Sequence, residues 1–171
     1  MSEPVDRVLS LLQRLDAARE PNERAQLAEA LMAAVFALGV AVHSGKVSWD
    51  EVRALAAAGE PLLIRVTGAL ELVAGSIEDR FLLSWEPGGW EDLSRLRSAL
   101  EFLLELFPGE ADWVRTHVRP NAYDDLIQLH SHDFGYLRPF EIPPGIPTSH
   151  WWWWAPLEPD EDRASGPSRP R

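Results

Sequence analysis

The chain contains no cysteine. Disulfides, thiolate metal sites and cysteine nucleophiles are therefore excluded, and the composition fits a reducing cytosol. Lysine is nearly absent, with one Lys against fifteen Arg; together these 16 bases face 27 acids, for a net charge of −11. The imbalance is spread along the chain, with thirteen acids to eight bases over residues 1–86 and ten to five over 87–157. With no basic stripe, duplex DNA and RNA are poor partners, because phosphate neutralisation supplies most of that affinity. Anionic membrane surfaces are disfavoured for the same reason. A basic protein partner is compatible with this surface. Long hydrophobic runs are also lacking. The longest, Ala30 to Val42, has 13 residues, too short to span a bilayer, and reads as a buried core helix. No basic segment precedes an apolar block at the N-terminus, so no targeting segment is expected and the location reads as cytoplasmic. The preference for Arg over Lys, with abundant Ala, Gly and Pro, points to a bacterial coding bias.

What is present is a helical pattern punctuated by proline. The 171 residues, 46% of them apolar, fit one domain with a sizeable core. Val5, Val8, Leu12 and Leu15 predict a helix over 4–19; Leu27, Leu31, Ala34, Leu38 and Val42 predict one over 22–43, stopped by Gly45. A short helix over 49–58 is expected next, capped by Ser48 with Glu51 completing a capping box and ended by Gly59. Pro61 then starts another helix reaching about 84, on which Gly68 and Gly75 predict close approach of a neighbouring helix, or a kink. Arg65 on it reads as a snorkelling side chain. Leu93, Leu96, Leu100, Leu103 and Phe107 predict a helix over 90–107. Two shorter ones follow over 110–119 and 121–131, the last capped by Asn121. No stretch of the first 138 residues alternates with period two. The fold class is therefore all-α, a bundle of five to seven helices over 1–138.

Eight of the fourteen prolines fall between Pro139 and Pro170. This predicts an extended Pro/Trp-rich arm over 139–157 and a disordered tail over 158–171. The arm carries four consecutive tryptophans, Trp151 to Trp154. One such side chain buries about 150–250 Å², so four wet rings would expose roughly 600–1,000 Å². Monomers seldom show an apolar patch above roughly 300–600 Å². The rings must be covered, by the chain's own bundle acting as a strap site, by a partner protein, or by both. In an extended strand Trp151 and Trp153 would point one way, Trp152 and Trp154 the other.

The leading functional reading is a non-enzymatic protein–protein interaction module with an acidic surface and no cofactor. Its partner-binding anchors are Trp151, Trp152, Trp153 and Trp154, with Pro144, Pro147 and Pro156 shaping the arm. The alternative is a metal-dependent enzyme or metal-binding domain, in which His130, His132, Asp133 and His150 hold a divalent metal. Residues two apart on a helix diverge by about 200°, so His130 and His132 share an ion only in extended chain. A helix-terminal histidine also serves simply to satisfy the last carbonyls. Asp124 and Asp125, with Gln128, form a carboxylate pair able to do acid–base work, to hold Mg²⁺, or to complement a helix dipole. The two glycines of Pro87 to Trp90 read as a turn. A third reading makes the chain a helical subunit of a larger assembly, packed through its second helix. No serine-nucleophile elbow, HExxH motif or EF-hand loop is present.

Overall fold

A computed structural model describes residues 2–83, 89–119, 124–130, 137 and 139–154. The protein is all-α, with six α-helices and no strand among the described residues. They are α1 (Glu3–Ala17), α2 (Pro21–His43), α3 (Trp49–Leu83), α4 (Gly89–Leu106), α5 (Ala111–His117) and α6 (Asp124–His130). A 3-10 turn over Pro108–Glu110 leads into α5.

The apolar spacings land where periodicity places them. Val5, Val8, Leu12 and Leu15 bury one face of α1. α2 buries residues all round, from Leu27 and Leu31 to Phe36, Leu38 and Val42, because α1, α3 and α4 pack on it from different sides. By length and composition alone α2 could cross a membrane. The capping box at the start of α3 is complete: Glu51 N–H donates to Ser48 Oγ, and Ser48 N–H donates to Glu51 Oε2, each at 3.3 Å. The backbone N–H of Ser2 reaches the other oxygen of Glu51 at 2.7 Å, tying the N-terminus to α3. These donors, first the Ser48 N–H and then Ser2, hold the Glu51 carboxyl below its usual pKa. Gly45 adopts φ +73°, the left-handed conformation that stops α2.

Four sequence expectations are corrected. Pro61 does not start a helix but lies inside α3, which runs unbroken for 35 residues. Proline removes one backbone donor there, and packing of the flanking turns outweighs that loss. Gly59 does not end a helix; a Cβ on it would sit 2.7 Å from the Phe107 ring, so its bareness admits that ring. Among the described residues nothing lies within 4 Å of a Cβ added at Gly68 or Gly75, so neither marks close approach between the described helices. Arg65 does not snorkel alone: its Nε and Nη2 each donate to Asp16 at 2.9 Å, joining α3 to α1.

The arm leaves a 3-10 turn over Pro139–Glu141 and passes the end of α2 at Gly145. A Cβ on Gly145 would come within 2.9 Å of the Val40 carbonyl oxygen. The arm then folds through successive turns, with His150 N–H bonding the Pro147 carbonyl and Trp153 N–H the His150 carbonyl. Trp151–Trp153 is a 3-10 turn, not an alternating strand. A strand sends rings to two opposite sides, whereas a three-residue turn spreads them about 120° apart. That geometry lets Trp151, Trp152 and Trp153 all be buried, with Trp154 half-buried. The prolines fit the turn because their fixed φ suits turns as well as extended chain.

Candidate interaction site

One face of α4 receives the arm. Trp90, Ser94 and Ser98 recur every four residues, so they form one stripe along the helix. Trp90 Nε1 donates to the Trp152 carbonyl at 3.1 Å. Ser98 Oγ is the hub: Trp152 Nε1 donates to it at 2.9 Å, Trp153 Nε1 at 2.7 Å, and His150 Nδ1 lies 3.0 Å away. A hydroxyl has two lone pairs and one proton. Both indoles are donors only, so they fill the lone pairs, and the Ser98 proton goes to His150 Nδ1. The neutral imidazole therefore carries its proton on Nε2, a buried atom without a hydrogen-bond partner among the described residues. Burial, then the charge of Arg97, then His43, push the His150 pKa down to about 3, so the ring stays neutral.

Stacking continues from that hub. The Trp152 ring stacks on the His150 ring, 4.8 Å between centroids, and carries the Arg97 guanidinium 4.3 Å from its centre. His150 in turn meets Phe102 at 4.7 Å. Phe102, on α4, packs against α2 where Gly39 has no side chain; a Cβ there would fall 2.2 Å from the ring. Arg97 is itself only 2% exposed. Burial opposes its charge, but Asp124, bidentate at 2.7 and 3.0 Å, and then Glu101 outweigh it and raise its pKa. Asp124 thereby fixes α6 to α4, a role beyond complementing its own helix dipole.

The arm also backs a surface groove. Trp153 stacks on Phe36, with centroids 6.0 Å apart. The Arg95 guanidinium also lies over the Phe36 ring, 5.3 Å from its centre. Phe36, Met32, Val73 and Leu96 line a groove of about 230 Å³ between α2, α3 and α4. Glu29, Asp92 and Arg95 put charge around it.

Of the anchors expected from sequence, Trp151, Trp152 and Trp153 pack on the chain's own bundle, and Trp154 keeps some surface. Pro144 and Pro147 lie in the described arm, the first exposed; Pro156 lies outside the described residues. Of the proposed metal ligands, His132 and Asp133 lie outside the described residues, and His130 ends α6. His150 is committed to Ser98. Among the described residues no group of three His, Asp or Glu could hold a metal ion. Sequence reasoning missed Trp90, Arg97 and Ser98. The available signal was spacing: Arg97 follows Leu93 by four and precedes Leu100 by three, which puts a charge on the buried stripe. No protein family, curated protein or solved structure matches the chain. Its class is that of its architecture, a helical bundle closed by a tryptophan-rich strap.

Proposed function

We propose that the chain is a non-enzymatic protein–protein interaction module, working in the cytosol, that takes a basic segment of a partner protein. The observation that supports this most is the groove backed by Trp153. Its lining is mostly apolar, its two acids, Asp92 and Glu29, outnumber its one base, Arg95, and the whole molecule bears −11. At about 230 Å³ it is smaller than the roughly 300–1,000 Å³ of small-molecule pockets. That size suits a single apolar side chain presented by a polypeptide, with a neighbouring Lys or Arg meeting the acidic rim. In this reading the arm acts mainly from inside. It holds Phe36 in place, and Trp154 adds direct contact.

Ala33 lines the groove and is exposed, so Ala33→Trp fills the groove from outside the core. Asp92→Arg reverses the rim charge. The full chain, used as bait in extract of its host, should capture a basic protein that both variants lose while melting unchanged. Capture of the same protein by both variants, or no capture by the native chain, overturns the reading.

A further inference from the structure

A segment of this same chain has the chemistry the groove would take. Residues 155–171 lie outside the described residues, and within them 163–171 carries Arg163, Arg169 and Arg171 and no acid. Nowhere else in this chain of net charge −11 does a nine-residue window reach +3. Pro167 and Pro170 are three apart, the repeat that sets two prolines on one side of a polyproline II helix. Segments of that kind dock in aromatic-lined grooves at low ordering cost. Arg169 and Arg171 flank Pro170, so an apolar ring stands between two cations.

The groove offers the complement. Phe36 supplies an aromatic ring, and Met32, Val73 and Leu96 extend the apolar lining. Arg95, the one base there, is already met by a carboxylate: its Nε donates to Glu91 Oε1 at 3.0 Å. Asp92 is exposed and has no hydrogen-bond or ion-pair partner among the described residues. The charge left to offer a ligand is therefore negative. The strap also brings the segment within reach. Trp153 stacks on Phe36, with ring centroids 6.0 Å apart, so the chain passes behind the groove just before residue 155. Fifteen residues separate Trp154 from Arg169, a reach of up to about 50 Å, against a radius of gyration of about 16 Å for a chain of this length. The acids Glu158, Asp160, Glu161 and Asp162 precede the segment, seven residues or more before Arg169, and belong to the tether.

We propose that segment 163–171 is the groove's own ligand in the free protein, with Pro170 against Phe36 and its flanking arginines toward Asp92, so that a basic partner binds by displacing it. The inference rests on the groove taking a basic segment built around an apolar side chain, and it adds the regulation of that site. A short tether gives an effective concentration on the order of 1 mM, so a segment with a free Kd of about 0.1 mM would be seated about nine-tenths of the time and would weaken a competitor roughly tenfold.

Because the chain has no cysteine, a pair of introduced thiols reports one contact. In the full chain, Ala33→Cys with Ser168→Cys places one thiol in the groove and one beside Arg169. Under mild oxidation at low concentration, an internal disulfide should form at least tenfold faster than in Ser10→Cys with Ser168→Cys, where residue 10 is an exposed control on α1. Adding Asp92→Arg should bring the first rate down to the second. A fluorescent peptide of residues 163–171 serves as probe in solution. By anisotropy it should bind the full chain carrying Arg163→Gln, Arg169→Gln and Arg171→Gln about tenfold more tightly than the native chain, whose own segment competes. Thermal melting checks that each variant folds. Equal crosslinking from residues 33 and 10, a rate unmoved by Asp92→Arg, or equal peptide affinity for the two chains overturns the proposal. The partner reading stands or falls apart from it. An internal disulfide with no basic protein captured leaves the groove to its own segment, whereas capture with equal crosslinking rates removes this proposal alone.

Discussion

Removing one oxygen atom, in Ser98→Ala, tests the architecture most directly. The hydroxyl accepts from the indoles of Trp152 and Trp153 and donates to His150. Alanine leaves two buried indole N–H groups without an acceptor. An unsatisfied buried donor costs about 1–3 kcal/mol, so the pair costs roughly 2–6 kcal/mol. A native domain has only about 5–15 kcal/mol in total. At roughly 2–4 °C per kcal/mol for a chain of this size, melting should fall by on the order of 10 °C. Urea unfolding followed by tryptophan emission measures the loss, because 3 of the 8 tryptophans sit in this lock. The native emission should also shift to the red as the arm loosens. A double-mutant cycle with Trp152→Phe assigns the effect: the two changes should fall short of additivity by about 1 kcal/mol or more, since they delete the same bond. A stability loss below about 1 kcal/mol for Ser98→Ala, with strict additivity, would show that Ser98 is not the shared acceptor.

Three further outcomes follow from neighbouring contacts. Gly39→Ala drives a Cβ to 2.2 Å from the Phe102 ring, which His150 and Phe36 flank; overpacking should cost about 1–3 kcal/mol or more, read by urea unfolding. Asp124→Asn removes the bidentate partner of the buried Arg97, leaving Glu101 as its carboxylate among the described residues, and should cost about 3 kcal/mol, the low end for breaking a buried pair; Asp125→Asn, on the exposed side, should cost far less. His150 titrates near 3 when folded and near 6.5 when unfolded, so below pH 6.5 the unfolded chain binds a proton that the folded chain refuses. Stability should therefore fall as pH drops from 6.5 towards 3, approaching about 1.4 kcal/mol per pH unit. Asp16 and Glu51, whose pKa values lie below the usual 3.8 and 4.5, lose their contributions lower still. The decline between pH 6.5 and 5 should vanish in His150→Phe, measured by melting across that range.

The bundle was legible because its signal is local and repeated. In α1 the stripe Val5, Val8, Leu12, Leu15 states its own buried face. The box of Ser48 and Glu51 can be read because both partners lie within one turn. Pro61 misled because its cost is local while its compensation is not: the turns on either side are held by α1, α4 and Phe107, which no short window contains. Gly68 and Gly75 misled because their seven-residue spacing puts both on one face whether or not a neighbour packs there; among the described residues none comes within 4 Å of an added Cβ. The burial of the indoles followed from area alone. Their hub did not. Ser98 is one small polar residue in a leucine-rich helix, and its importance comes from three groups more than fifty residues away in sequence. Alternation in the arm failed because proline permits both strand and turn, and only the shape of the receiving cleft selects between them.

The order in which the chain is made gives the strap a second meaning. All six helices are synthesised before residue 150 leaves the ribosome, yet the stripe from Trp90 to Ser98 and the inner side of Phe36 are completed only by His150 and the indoles behind it. A polypeptide cut short before that point would present a greasy, hydrogen-bond-deficient flank to chaperones and proteases. Once the indoles are seated that flank is hidden, so the closing turn separates a chain that has reached Trp154 from one stopped before His150.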